Sequence, residues 1–589
     1  MISKLRRLRT ALLMAAMIWG TQGFANPQSP AGEMMATDGD AGVHGGRLVV
    51  AQRAEPKTLN PVVAVDAPSR EIIRLMTADL IHINRHSHKT EPALAKSWNV
   101  SKDGRRYTLH LRRGLRFSDG RPMNAEDVVF SFQVYLDEQV HSPQRDLLLV
   151  DGKPITVTKI DSYTVEFGMA QPYAAAERLF DSVAVLPRHL MEGSYKEGKL
   201  AQEWGLTADP ALIAGMGPYR IRKYIPGDRI ILERNPHYWK IDRKGNVLPY
   251  LDEVVFLAAG SEDAQVIRFQ AGETDLVSRI SADNYAALAK EQQKRGFQLY
   301  DLGPGLEYNF LFFNLNDLDR KELPQIARKQ AWFKKQAFRQ AVSVAIDRDG
   351  IVRLCYQGRA TPLWGHVTPG NKLWLNTTLP QPSRSLLNAR KLLATAGFSW
   401  KSDGTLVDQD GAAVDFTIAT SAGNAARAQM ATIIQADLKE LGIMVHLASL
   451  EFRSLLDRVL KTYDYEACIL GLGSGDADPN PEMNVLLSSG GSHLWHPAQK
   501  EPSTPWEAEI DRLMAQQVST VTYPERKRLY DRVQQLMAEE LPLIYLASPD
   551  ILVGAKARLG NFKPAILDHY ALWNIEELFW RPAQPGATR

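Results

Sequence analysis

The stretch Tyr107–Phe132, YTLHLRRGLRFSDGRPMNAEDVVFSF, decides how the rest of the chain is read. Leu109, Leu111, Leu115 and Phe117 alternate with mostly polar or basic neighbours, as a half-buried strand requires. Ser118, Asp119 and Gly120 supply turn chemistry, and Pro122 cannot continue a ladder. Asn124 then stands as an N-cap, with Glu126 and Asp127 suited to the positive end of a first helical turn. Val128, Val129 and Phe132 give the predicted helix an apolar face. The segment therefore reads as strand, turn and capped helix.

Other segments extend the pattern in both directions. EPKTLNP (Glu55 to Pro61) and LAKSW (Leu94 to Trp98) precede it. VLPRHL (185–190), GMGPYRI (215–221), RNPHYW (234–239) and AGETDL (271–276) follow. FRQAVSVAIDR (338–348), NARKLLATAGF (388–398) and LYDRVQQLMAEELPLIYL (529–546) close the series. Taken in this order, from about residue 47 to about residue 580, these motifs resemble the family 5 extracellular solute-binding proteins, the oligopeptide- and dipeptide-binding family of ABC importers.

That resemblance implies an α/β, periplasmic-binding-protein-like fold, with two ligand-clamping lobes, a third lobe and a discontinuous first lobe. The implied division is 44–77, 208–304 and 548–589 for lobe I, 78–207 for lobe II and 305–547 for lobe III. The implied function is capture of a peptide or peptide-like solute between lobes I and III, and delivery to an inner-membrane ABC permease. Lobe closure around the ligand is the expected motion. The same fold with a nickel complex, oligosaccharide, opine or haem is the alternative, and a secreted hydrolase is a more distant one. No GxSxG, HExxH or paired Cys/His motif supports the hydrolase.

Composition narrows the setting. Lys4, Arg6, Arg7 and Arg9 open the chain, and without them 66 basic residues face 67 acidic ones. A nearly neutral protein lacks the clustered positive charge that nucleic-acid binding needs. Ala11 to Trp19 form a short apolar core before Gly23, Phe24 and Ala25, which reads as a signal peptide over 1–25, cut near Ala25. Nine apolar residues cannot span a bilayer as a helix. No Cys follows to carry lipid, so the expectation is a periplasmic, non-inserted monomer. Residues 26–43 are small, polar and Gly/Pro-rich and read as a disordered leader. Cys355 and Cys468 each sit in an apolar stretch and read as separate buried thiols rather than a disulfide.

In the C-terminal half, VDFTIAT (414–420), the helical spacing of Met430 to Leu441, IMVHLASL (443–450), FRSLLDRVLKT (452–462) and YDYEACILGLG (463–473) spell β-α-β-α-β, the grammar of a parallel sheet. Ligands collect at the carboxyl ends of such strands, which points to the loop GLGSGDADPNPE (471–482).

The candidate ligand-binding residues are Asp476, Gly475, Asp478, Trp495, Val65 and Asp66. Peptide-binding relatives place an Asp four residues before the loop proline to meet the ligand's amino terminus. Here Gly475 holds that position and Asp476 is displaced by one, so a helix cap is the competing role for Asp476. Trp495, in GSHLWHP, is offered as a pocket wall, and Val65 and Asp66 as backbone beside an extended ligand. A calcium loop is excluded because Pro481 and Leu487 replace the glycine and the bidentate glutamate that it requires. His82, His86 and His88 occupy a polar hairpin-like stretch and are read as a solvated loop, with no metal or other cofactor expected.

Overall fold

The computed structural model describes residues 33–582 apart from 182, 319, 320, 322 and 568–570, so the signal-peptide reading lies outside the described residues. The signature strand forms as Arg106–Leu111, in a four-stranded antiparallel sheet. It pairs with Ala95–Val100 on one side and Thr164–Gly168 on the other, and Thr156–Asp161 forms the outer edge. The strand ends at Leu111, yet Leu115 and Phe117 are buried all the same, in the apolar core that also takes Leu109 and Leu111. The helix follows as Ala125–Leu136. Asn124 accepts from the Glu126 amide while Asp127 reaches back to the Asn124 amide, a reciprocal cap that satisfies orphan donors at both positions. Phe132 packs edge-on to Phe167 of the sheet, 4.7 Å between centroids.

A twelve-stranded mixed sheet forms the backbone of the molecule. In its first part Glu253–Ala258, Arg47–Gln52 and Leu276–Val277 run parallel, flanked by the antiparallel pair Tyr219–Ile225 and Arg229–Arg234. In its second part Asp415–Ser421 runs parallel to both Met444–Leu450 and Ala467–Gly473, with the helix Ala425–Lys439 as crossover. This is the β-α-β-α-β unit expected from its hydrophobic spacing. Its second helix is shorter than expected, Phe452–Asp457, and continues as one wider turn over Arg458–Thr462.

One long strand, Leu543–Lys556, joins the two parts. Its first half pairs with Glu307–Phe313 and Ala360–Pro362, and its second with Phe297–Pro304 and Leu276–Val277. Apolar side chains gather into two large cores. One draws on residues 48–276 and 553–578, the other only on residues 308–547. Segments 78–207 and 208–256 share the first core, so the antiparallel signature sheet is packed onto the first part rather than standing apart.

The described part of the leader, residues 33–43, differs from expectation. Met35–Ala36 adds a short parallel strand to Lys240–Ile241, and the Glu33 carboxylate is held by Lys96 and by the Arg113 amide, both at 2.8 Å. Small polar residues predict disorder only when nothing binds their backbone, and here the preformed surface supplies those partners. Cys355 is half-buried and Cys468 buried, and both are free thiols.

Candidate functional site

The loop 471–482 leaves the strand Ala467–Gly473 at its carboxyl end, as the parallel sheet requires. Gly471 leaves room there for the Arg427 and Asn309 side chains, since a Cβ would lie 2.3 Å from Arg427 Nη2 and 2.7 Å from Asn309 Oδ1. Arg427 donates to Asn309 at 3.0 Å and stands 3.6 Å from the Glu307 carboxylate, which makes a polar floor beside the loop.

The two loop carboxylates face different ways. Asp476 is gripped by both arms of the Arg178 guanidinium, from the short helix Ala176–Leu179, and Arg178 also donates to the His88 carbonyl at 3.2 Å. Asp476 does not cap the following helix. Its Oδ1 accepts instead from the adjacent Ala477 amide at 2.6 Å. Arg178 belongs to the region of the first core and Asp476 to the second, so the pair bridges them. The Ala174 amide, which donates to the Val518 carbonyl at 2.8 Å, bridges them nearby. Asp478 points inward to Arg526, with two bonds of 2.9 Å and only 4 % of its side chain exposed. Gly475 is exposed at the loop tip.

Trp495 lies elsewhere. It is 0 % exposed, in the second core, with its ring 3.7 Å from that of His493 and its indole N–H donating to Glu507 at 3.0 Å. Burial alone would push the Glu507 carboxyl up, but hydrogen bonds from His493, Gln499, Thr504 and Trp495 outweigh it and hold the group down to about 2. The tryptophan therefore satisfies a buried anion rather than lining a pocket, and closeness in sequence to the loop misplaces it. Val65 is 62 % exposed. Asp66 caps the helix Ala67–Met76, accepting from the Ser69 amide at 2.9 Å and the Ser69 hydroxyl at 2.8 Å.

Behind the loop a cavity of about 20 Å³ is lined by Tyr308, His366, Asp476 and Glu482 among others, room for about one water. His366 links Glu482 at 3.1 Å to the Tyr545 hydroxyl at 3.2 Å, and Tyr308 donates to Glu482 at 2.9 Å. Burial opposes ionisation of Glu482, yet hydrogen bonds from His366 and Tyr308 and the nearby His366 charge lower its proton affinity below the ordinary value. Sequence reading missed this group. His366 and Glu482 stand 116 residues apart, and although Glu482 ends the loop 471–482, nothing in that loop points to His366. The three clustered histidines do not converge. His86 is exposed, His88 is buried with a left-handed backbone (φ 60°), and His82 turns toward Asp79 and Asp181.

With this geometry in view, similarity to known proteins becomes informative. The family model described as bacterial extracellular solute-binding proteins, family 5 Middle, matches residues 89–493. The oligopeptide-binding protein AppA of Bacillus subtilis is 24% identical, over 88% of this chain and 89% of its own. Its structure in complex with a nonapeptide covers 92% of this chain and 100% of that chain, with a TM-score of 0.68. Heme-binding protein A of Haemophilus influenzae is 27% identical, over 80% of each chain. Because the family model spans well over half of the sequence, the chain belongs to the family 5 extracellular solute-binding proteins.

Proposed function

We propose that this protein is the exported solute-binding component of an ABC importer, capturing a peptide or peptide-like solute and delivering it to an inner-membrane permease. The observation that carries the reading is the pairing of two parallel-stranded sheet parts, each with its own core, through the single strand Leu543–Lys556. Such a molecule can shut on a ligand by rotating one part against the other. The proposed lobe division is 44–77, 208–304 and 548–589, then 78–207, then 305–547, and the two cores support the last of these boundaries. The relative's bound nonapeptide supports a peptide ligand.

The loop 474–478 and the segment Val65–Asp66 are the proposed contact regions. An incoming ammonium group at Asp476 would replace the Arg178 guanidinium, since both need the same oxygens. The protein acts in the periplasm as a monomer after cleavage near Ala25, without a lipid anchor, and returns its ligand unchanged. Among the described residues no helix is long and apolar enough to cross a membrane. Mass spectrometry of small molecules released by denaturing the purified protein tests the ligand class, and peptides are the expected result. The second reading, a non-peptide ligand such as haem, is favoured by the haem-binding relative and by Asp476 being already paired. Recovery of a metal chelate, sugar or porphyrin would establish it in place of the first.

A further inference from the structure

We propose that Asp79, His82 and Asp181 form a site for a divalent transition-metal ion, apart from the solute cleft. Asp79 follows the helix Ala67–Met76, His82 is the middle residue of the strand Ile81–Ile83, and Asp181 follows the short helix Ala176–Leu179. One ligand atom from each lies within 4.8 Å of the other two. A neighbouring pair, Asp79 and His82, and a carboxylate about a hundred residues away, Asp181, thus deliver one imidazole and two carboxylates to a point.

The distances are compatible with three ligands about one metal ion. His82 Nδ1 lies 3.3 Å from Asp181 Oδ1 and 3.8 Å from Asp79 Oδ2. The shorter lies at the long edge of an N–H···O bond and the longer beyond it. Two ligands about 2.0–2.2 Å from one metal ion, at angles between square and tetrahedral or a little wider, stand roughly 3–3.8 Å apart. Asp181 also has the outer support that ligating carboxylates show. Its Oδ1 accepts from the Ile83 amide at 2.7 Å and its Oδ2 from Arg85 at 2.8 Å, which fixes the carboxylate's orientation.

Asp79 and His82, though not Asp181, line a cavity of about 90 Å³, room for several waters to complete a coordination shell. Its walls come from residues 74–93, 217–240 and 572–576, with none from the 308–547 core. The other charges on it are Lys240, held by Glu576 at 2.7 Å, Arg85, 2.8 Å from Asp181, and Arg74, 3.9 Å from Asp181. Arg74 and Arg85 offset the two carboxylates, so the site favours ions that gain from the imidazole nitrogen. Zinc, nickel and cobalt fit this donor set, while magnesium and calcium prefer oxygen alone.

The test uses the full chain freed of metal by chelation and titrated with ZnCl2 and NiCl2 in a calorimeter, with MgCl2 as control. One equivalent of zinc or nickel should bind and raise the unfolding midpoint, and magnesium should not compete. Cobalt should give a visible d–d spectrum that changes in His82→Ala. Asp79→Asn and His82→Ala should each weaken zinc binding at least about tenfold while leaving the far-ultraviolet circular dichroism unchanged. No saturable binding at millimolar zinc or nickel, or equal affinity in both variants, would overturn the proposal. Asp181 is left intact because it also holds Arg85.

Discussion

Asp476 and Asp478 stand two residues apart in one loop, yet they serve different parts of the molecule. Asp478 turns inward and closes on Arg526, a partner 48 residues away in the same core, where both side chains are almost fully buried. Asp476 turns outward and closes on Arg178, 298 residues away, with each side chain 16 % exposed. Identical chemistry thus acts as an internal clasp in one limb of the loop and as a bridge between the two cores in the other. A clasp must hold whenever the protein is folded. A bridge needs to hold only when the parts are together, and partial exposure suits it to opening.

The largest effect is expected of Asp478→Ala. It strands a buried guanidinium, and stability should fall by about 3–5 kcal/mol in urea unfolding. A loss no larger than that of a surface ion pair would show that Asp478 is not a clasp. Asp476→Asn should cost folding less, about 1–2 kcal/mol, because water reaches the pair. Small-angle scattering without ligand should then show a more open molecule, and Arg178→Ala should match it. If a peptide ammonium binds Asp476, calorimetry with the released ligand should show affinity falling by about two orders of magnitude or more. Affinity within threefold of the parent would confine Asp476 to the bridge.

Asp66→Ala probes a carboxylate occupied as a helix cap. It should lower stability by about 1 kcal/mol and leave ligand affinity unchanged. The smallest effect belongs to Asp550, on the strand that joins the two parts. Burial first, and the Asp301 charge second, push its carboxyl up to about 6, with Arg359 opposing. The folded protein therefore binds this proton more tightly than the unfolded chain, whose aspartates titrate near 3.9. That contribution is complete below about pH 4 and is lost as pH rises through about 6. Unfolding midpoints at pH 4.5 and 7 should converge in Asp550→Asn, by less than about 1 kcal/mol after solvent screening.

Local grammar was readable in the sequence wherever the physics is local. The cap at Asn124, the strand before it and the parallel unit from 415 to 473 all follow from spacings within a few residues. The loop's position at a strand end followed from topology. The partners of its side chains did not, because nothing in Gly471–Glu482 encodes Arg178, which arrives from a different sheet. Trp495 misled for the opposite reason. Its closeness in sequence to the loop suggested a pocket, whereas its indole was committed to the buried Glu507. The histidine run likewise drew attention to three side chains, of which only His82 meets carboxylates, and those come from Asp79 and Asp181. The segment from Glu33 was composed like a tail but was docked by Lys96 and Arg113.

Among the described residues the chain passes between the two cores where residues 304–307 leave the first part and residues 547–550 return. These strands lie side by side, with Pro304 opposite Asp550, Asn309 opposite Ala547, and the Gly305 amide donating to the Pro549 carbonyl at 3.2 Å. Residues 305–547 therefore begin and end at the same place, like a bead on a loop of thread. For a gene, that makes the whole second core a cassette. Two cuts at neighbouring points would free it with its ends already within reach of each other. A short turn could close the gap left behind, since the strands on either side already run antiparallel.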